Sequence, residues 1–562
     1  MADLTNSNHM SLTISVNSNR KIIHTPAIFL KKLLSRKDVS VICFLLAIVI
    51  KIILFFYFQQ IDNDKLAQAI AGKNLAGGHG LTIKQVHVRN LSKETYERLV
   101  GWPPAYSVAF AIIYSLFKDL DVSIFIIDTI CVILFFILLR KFLRQLDFPD
   151  YLINLLVLFN GFTIREYIEK SSPTDFITLL LFAYTCYLTI KIFTQKNPVL
   201  PGILLGFFNV LSAWFRYMYI PVPFIIPGVL LLNGWLKKDR KLLLYGTYTM
   251  VFALLGVITL LSFQQPFVPA TEKGIFWSNL LLLDPVLFSS FMNLKFLLVQ
   301  LSYQTGLSYA TGLSILRWIN LVPFLILLIL LFYTSLKRKG LAANSWQVFT
   351  TLGTLTGICI FLLLALLSLT HNAHYPPPRK FFWTYVCEDR YFVIVQFFIV
   401  VLTARWLFMN PTAVFSLKKW VQGIFLLLFT IEILHGAYFL AKNFTFDRRN
   451  FTYIVTQNRM IQYIDSTIRE NKKQNTDVVV AGAPSMANRS ALMGGNGLFN
   501  PAEINEIEIH ADKPTRILAV VDILQLPFYK PFIDKEGTKL ETRIGAYYFY
   551  SYYVKPTTTL KD

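Results

Sequence analysis

Two carboxylates lie two positions apart in "IDNDKLAQAIAGKNLAGGHGL", residues 61–81, directly after a long apolar run. Behind Asp62 and Asp64, the residues Leu66, Ala67, Ile70, Ala71, Asn74 and Leu75 recur at helical spacing, which predicts a short amphipathic helix lying along the membrane. One acid at a helix start satisfies free backbone N–H groups and meets the positive end of the helix dipole. The second is left for other chemistry: removing a proton from a hydroxyl, or offering oxygen to a hard cation. Gly77, Gly78 and Gly80 end the helix, and His79 between them reads as a loop residue, with substrate binding as its alternative role.

Charges recur at three further places. In "REYIEKSSPTDFITLLLF", Arg165, Glu166, Glu169, Lys170 and Asp175 gather between two apolar runs, where Pro173 and Asp175 also suit helix initiation. In "LSAWFRYMYIPVPF", Arg216 stands where two apolar runs meet with almost no loop. A charge at the bilayer centre costs about 2.5–3.5 kcal/mol and less near the interface, so Arg216 calls for an anionic partner, a protein carboxylate or a lipid phosphate. In "YPPPRKFFWTYVCEDRYFVIV", Arg379, Lys380, Glu388, Asp389 and Arg390 precede another apolar run, a pattern that also fits an interfacial belt of aromatic and snorkelling basic residues. Carboxylates beside arginines at a lipid interface suit deprotonation of an acceptor hydroxyl and stabilisation of a departing lipid phosphate.

The elements that must hold these groups are membrane helices. The chain of 562 residues is 54% hydrophobic and 15% aromatic, and the apolar content is spread along most of it. At roughly 20 residues per crossing, about eleven spans are expected, near 39–58, 121–139, 148–164, 173–192, 199–215, 218–236, 242–262, 313–335, 345–369, 391–409 and 420–440. The formal net charge of +21 does not point to nucleic acid, because Lys and Arg fall in short clusters between apolar spans. With the basic N-terminus inside, Arg140/Lys141/Arg144, Lys191/Lys196, Lys237/Lys238/Arg240/Lys241, Lys337/Arg338/Lys339 and Lys418/Lys419 all fall on the cytoplasmic side. The long connections, 59–120, 263–312, 370–390 and the tail after 441, then face outward, and long ordered loops carry function.

This gives a basic cytoplasmic segment (1–38), a transmembrane region (39–440) and an extracytoplasmic region (441–562). Residues 105–117, in "GWPPAYSVAFAIIYSLF", are too few to span and read as a helix at the outer interface, entered through Trp102, Pro103 and Pro104. In the tail, "TQNRMIQYIDSTIRENKKQ" has helical periodicity, while "DVVVAG", "TRILAVVD" and "IGAYYFYSYYV" read as strands of a small α/β domain. Cys43, Cys131, Cys186 and Cys359 sit in apolar runs, and with Cys387 they form no disulfide or metal framework. The N-terminal segment is too long and mixed for a cleaved signal, so the first span is expected to remain as an anchor.

In the order and sidedness of "NLAGGHGL" behind an Asp, "WPPAYSVAFAIIYSLF", "SPTDFITLLLF" and "LSAWFRYMYIPVPF", the chain resembles the GT-C membrane glycosyltransferases. The likeness is to glycosyltransferase family 39, the branch of protein O-mannosyltransferases and the lipid A aminoarabinose transferase. It covers about the first 235 residues, with "EDRYFVIV" as an echo later. The resemblance implies a polytopic helical fold with a cavity at the outer leaflet, and inverting transfer of a sugar from a polyprenyl-phosphate donor to a lipid, glycan or protein acceptor. It places the general base on Asp64, with Asp62 left as cap, second ligand or alternate base. It gives donor or acceptor binding to Asp175, with Glu169, Arg165 and His79 beside it, and the donor phosphate to Arg216, Arg390 and Arg379. No cofactor is required by this reading, though Asp62 and Asp64 can ligate a divalent cation. The implied location is a bacterial inner membrane.

Two positions depart from the family pattern: Gln68 stands where a tyrosine is common, and Lys118 where a glycine is usual after the interfacial helix. Lys51, Asp128 and Glu432 lie within expected spans, and Lys51 with Asp128 is the expected structural pair. "GGNG", residues 494–497, reads as a loop with a phosphate nest as its alternative. A transporter or flippase would show paired repeats and broken helices at the midplane, which the sequence lacks. A polymerase or ligase of lipid-linked glycans shares the same chemistry with another donor, and a receptor would leave the paired charges incidental.

Overall fold

The computed structural model describes residues 32–58, 63–87, 90–163, 173–195, 198–263, 345–370, 393–409, positions between 422 and 441, 452–482, 489–498 in part and 510–556. The expected span at 313–335 lies outside them, as do Asp62, Arg165, Glu169, Arg379, Arg390 and Glu432.

The helices in chain order are α1 (Lys37–Phe58), α2 (Asn63–Ala76), α3 (Ala105–Phe117), α4 (Leu120–Gln145), α5 (Asp150–Phe162), α6 (Pro173–Thr194), α7 (Val199–Phe215), α8 (Val222–Lys237), α9 (Arg240–Phe263), α10 (Ser345–Thr370) and α11 (Val393–Met409). Five of the described helical stretches are long and apolar enough to cross a membrane: Lys37–Phe55 in α1, Leu120–Gln145 in α4, Thr174–Thr194 in α6, Tyr217–Lys237, which takes in α8 and the turn before it, and Arg240–Ser262 in α9. The protein is therefore a polytopic helical membrane protein. Its lipid-facing surface is apolar, as Ile42, Leu46, Leu134, Ile203, Phe207 and Leu255 show by their exposure.

Side-chain bonds fix the helix directions. Arg140 Nη2 near the end of α4 donates to Ser40 Oγ near the start of α1 at 2.6 Å, so these two run antiparallel. Asn154 Nδ2 on α5 donates to the Leu34 carbonyl at 2.7 Å, and Trp214 Nε1 on α7 donates to the Gly256 carbonyl on α9 at 3.0 Å. The bundle thus has a basic end, carrying Arg140, Lys141, Arg144, Lys191, Lys237, Lys238, Arg240 and Lys241, and an opposite end where α1 stops and α2, α4, α6 and α8 begin.

Between α1 and α4 the chain makes α2, a hairpin and α3. Residues 65–72 of α2 are all buried, so the helix is enclosed by its neighbours instead of lying along a surface as its sequence predicts. The approach of α3 requires Gly72, where an added Cβ would meet the Ser107 carbonyl oxygen at 2.5 Å and Phe110 Cδ1 at 2.8 Å. The hairpin pairs β1 (Thr82–His87) with β2 (Asn90–Arg98) in antiparallel register, Ile83 opposite Glu97 and Val86 opposite Glu94.

The C-terminal elements are α12 (Thr452–Lys473), β3 (Asp477–Gly482), β4 (Asn496–Leu498), β5 (Thr515–Asp522), a short helix α13 (Lys530–Ile533), β6 (Lys539–Ile544) and β7 (Tyr547–Val554). Strand order is β4-β3-β5-β7-β6, parallel across the first three and antiparallel across the last three. Alternation sends Val478, Val480, Leu518 and Val520 to one face, where Met460, Ile464 and Ile468 of α12 cover them at helical spacing. Val479, Ala481, Ile517, Ala519 and Val521 go to the other face, which is closed by Tyr529, Phe532 and by Val86 and Leu91 of the distant hairpin. The Leu91 N–H also donates to the His510 carbonyl at 2.9 Å. Asn496 and Gly497 form strand β4 beside Val479 and Val480, so this half of "GGNG" is ladder and not loop.

Candidate functional site

Every described candidate residue except His79 sits at the start or end of a helix at the non-basic end of the bundle. Asp64 lies in the first turn of α2, a few residues beyond the end of α1, and is half-buried. Its carbonyl accepts a hydrogen bond from Gln68 Nε2 at 3.0 Å, so the buried Gln68 side chain is turned onto the backbone of its own helix.

Asp175 lies in the first turn of α6, and Arg216 caps the end of α7 in extended conformation, φ −154° and ψ 121°. These two meet: Arg216 Nε is 2.8 Å from Asp175 Oδ1, with the arginine side chain 9% exposed and the aspartate fully buried. Arg216 Nη1 also approaches Thr174 Oγ1 at 3.5 Å. The partner demanded by a charge at this depth is thus a protein carboxylate. Each chemical group is held by the backbone geometry of its helix end, since α7 stops at Phe215 and a short 3₁₀ turn, Tyr217–Tyr219, reverses the chain into α8. From that turn the Tyr217 hydroxyl reaches the carbonyls of Val100 and Trp102, both at 3.4 Å, and ties α8 to the entry of α3.

His79 takes no part in this gathering. It is exposed in the glycine turn after α2, with φ of +85° at Gly78 and +73° at Gly80, and stacks on Tyr96 with ring centroids 4.3 Å apart. Among the described residues no three His, Cys, Asp or Glu side chains gather closely enough to hold a metal ion. Asp62, the second oxygen donor considered, lies outside them.

The ionic interior differs from the sequence expectation. Asp128 on α4 does not take Lys51; it receives Lys65 Nζ of α2 at 2.7 Å, with side-chain exposures of 1% for the lysine and 4% for the aspartate. Lys51 Nζ instead donates to the Thr163 carbonyl at the end of α5, also at 2.7 Å. The physical reason is that a helix C-terminus presents unsatisfied carbonyls and a negative dipole end to a cation, while α2 folds back into the bundle and delivers a nearer cation to Asp128. Beside that pair, burial pushes the Tyr106 phenol on α3 well up, with Asp128 adding to the effect. Residue spacing within α2 gave no sign that Lys65 points inward, because its neighbours Asp64 and Gln68 are equally polar.

A second cationic group stands at the seam with the C-terminal sheet. Arg489 Nη1 reaches Asp121 Oδ1 of α4 at 3.0 Å and Nη2 reaches Asp465 Oδ2 of α12 at 2.8 Å. Burial disfavours its charge, but hydrogen bonds to Asp465 and Asp121 outweigh this and hold the guanidinium above its ordinary value. Near the end of α2, burial pulls Lys73 down to about 8, with Lys84 of β1 and Lys472 of α12 adding repulsion.

No known protein-family profile matches the chain. No curated protein matches it either. Among solved structures, the chain is similar to ArnT from Cupriavidus metallidurans in its apo crystal form, at TM-score 0.40 and 12% identity, over 91% of this chain and 97% of that one.

Proposed function

We propose that the protein is a glycosyltransferase of the GT-C type that takes a sugar from a polyprenyl-phosphate donor at the outer face of the membrane, with inversion. In this reading the basic end of the bundle is cytoplasmic, as the positive-inside rule expects, and Asp64, Asp175 and Arg216 face the outer leaflet. The observation that carries it is the placement of a half-buried carboxylate in the first turn of α2 at the same end of the bundle as the Asp175–Arg216 pair. That end is also where the motifs resembling glycosyltransferase family 39 fall in the sequence.

The Asp64 carboxylate takes the proton of an acceptor hydroxyl, and that oxygen attacks the anomeric carbon from the face opposite the phosphate. The bond from the anomeric carbon to the phosphate oxygen breaks, and the electron pair leaves on the polyprenyl phosphate. Arg216, oriented through Nε by Asp175, stabilises the departing charge, with Arg390 and Arg379 proposed to join it and Glu169 and Arg165 proposed to contact donor or acceptor. A transferred proton and a cationic clamp at the leaving group each lower the barrier by amounts that justify dedicated residues, about 10²–10⁴-fold in rate for positioned acid–base catalysis. The acceptor is a lipid, glycan or protein hydroxyl, and no step is routed through a cation.

The test uses purified protein in proteoliposomes with a polyprenyl-phosphate-linked sugar. Asp64→Asn is expected to abolish transfer while the protein inserts and unfolds at its usual temperature. Full transfer by that variant sinks the base assignment, and a matched loss confined to Asp62→Asn moves the base two residues back.

A further inference from the structure

Helix α2 is enclosed on all sides over residues 65–72, so its rotation must satisfy polar side chains as well as apolar ones. Leu66 and Ile70 pack against Tyr106, Phe110, Ile124 and Ile177, and at the rotation that seats them Lys65 is carried into the interior, where a charge without a partner is costly. Within it lies one interaction that admits a single rotation, the ion pair from Lys65 Nζ to Asp128 Oδ2 at 2.7 Å across to α4. Both side chains are almost wholly removed from solvent. Replacing a buried ion pair by apolar residues of like volume is often neutral or stabilising, so stability alone does not account for it; fixing register is its best-attested use.

The surroundings agree. Asp128 Oδ1, Tyr106 Oη and Ser107 Oγ are buried without a hydrogen-bond partner among the described residues, a polar seam that a stability optimum would have removed. Gly72 turned onto the Ser107 carbonyl requires the same rotation of α2 as the ion pair does, so the two contacts reinforce one another. Consecutive helix residues project about 100° apart, so whatever holds Lys65 also aims Asp64.

We propose that the Lys65–Asp128 pair is a positioning device for the Asp64 carboxylate: it locks the rotation of α2 and so fixes where the residue before Lys65 is aimed at the end of the bundle that carries the Asp175–Arg216 pair. The inference rests on the reading of Asp64 as base. Lys65 and Asp128 touch neither donor nor acceptor; they act through the helix.

The experiment has two arms. In the first, Lys65→Met/Asp128→Leu is compared with wild type in proteoliposomes supplied with a polyprenyl-phosphate-linked sugar. The double variant is expected to unfold at or above the wild-type temperature while turnover at saturation falls by about ten- to a hundred-fold and KM stays within about two-fold. The swap Lys65→Asp/Asp128→Lys, which restores the pair reversed, is expected to recover part of the turnover. Wild-type turnover in the apolar double variant overturns the proposal, and where that variant fails to fold, a folded swap with no recovered turnover does so.

The second arm needs no transfer activity. A cysteine placed by Asp64→Cys is modified with a charged thiol reagent, with and without the Lys65→Met/Asp128→Leu change, beside Glu97→Cys on exposed β2 as control. The rate at position 64 is expected to change by about three-fold or more while position 97 is unaffected. An unchanged rate at 64 overturns the positioning role whatever the enzyme does. If wild type transfers no sugar at all, the glycosyltransferase reading falls and this arm still decides the geometry.

Discussion

The Asp175 carboxylate and the Arg216 guanidinium face each other at 2.8 Å across the ends of α6 and α7, both withdrawn from solvent. Removing one partner leaves an uncompensated buried charge at a cost of about 3–5 kcal/mol, whereas removing both leaves none. Arg216→Met and Asp175→Leu alone are each expected to lower the unfolding temperature in detergent, and the double variant to regain most of it. Because Arg216 is proposed to meet the donor phosphate, stability and transfer part company in the double variant. It should be folded and inactive, and full transfer there would remove Arg216 from the phosphate site.

Lys118, which caps the end of α3, has the left-handed backbone that glycine adopts most easily. It closes the helix at φ 54° and ψ 14°, its N–H donating to the Tyr114 carbonyl at 2.8 Å. A non-glycine residue in the left-handed region costs about 1 kcal/mol, offset slightly here by the Lys118 ammonium lying 5.8 Å from the Tyr114 ring centre. Lys118→Gly is expected to raise the unfolding temperature, and Lys118→Ala, which keeps the strain and loses the ring contact, to lower it.

The bundle was legible because lipid imposes a simple rule: long apolar runs become helices, and α1, α4, α6, α8 and α9 fall where the runs lie. The tail strands were legible for the same reason, since "DVVVAG" and "TRILAVVD" are apolar runs of strand length and pair as β3 and β5. The hairpin at 82–98 was missed. In β1 the apolar Ile83 and Val86 stand three residues apart and fall on opposite faces, so no alternation marks a strand, and Val86 and Leu91 bury against strands of the C-terminal sheet that no local pattern announces. The Lys65–Asp128 pair was missed likewise, because a helix assumed to lie on a surface has no reason to point a lysine inward. In the candidate site, the need of Arg216 for an anion was readable from the cost of a charge in lipid. That Asp175 supplies it depends on two helix ends meeting, which only the fold determines.

Arg489 gives a graded prediction, since its two carboxylates differ in exposure. Asp121 is 67% exposed, so its ion pair is screened and worth about 0–1 kcal/mol. Asp465 is 10% exposed and its loss strands a buried guanidinium, a larger penalty. Asp121→Ala should leave the unfolding temperature almost unchanged, Asp465→Ala should lower it clearly, and Arg489→Lys should fall between wild type and Asp465→Ala because an ammonium cannot serve both acids with a planar fork. Equal effects of the two alanine variants would contradict the burial argument.

Lys73 makes stability depend on pH in a defined window. Its folded value of about 8 lies below the 10.5 of an unperturbed lysine, through burial first and the neighbouring Lys84 and Lys472 second. Below pH 8 the ammonium is charged in both states and the native state carries the whole desolvation cost. As pH rises from 8 to 10.5 the native state releases its proton first, the unfolded chain binds more protons, and stability increases until the penalty is gone. Lys73→Met removes the titrating group and with it this slope. The stability difference between variant and wild type, measured by thermal unfolding in detergent, should be constant below pH 7.5 and should shift in favour of wild type by more than 1 kcal/mol, on the order of the linkage expected for a shift of this size, as pH passes from 8 to 10.5. Taking the difference cancels every other group that titrates in both proteins, so a flat difference across the window would mean that Lys73 is not held in the folded protein at a lowered value.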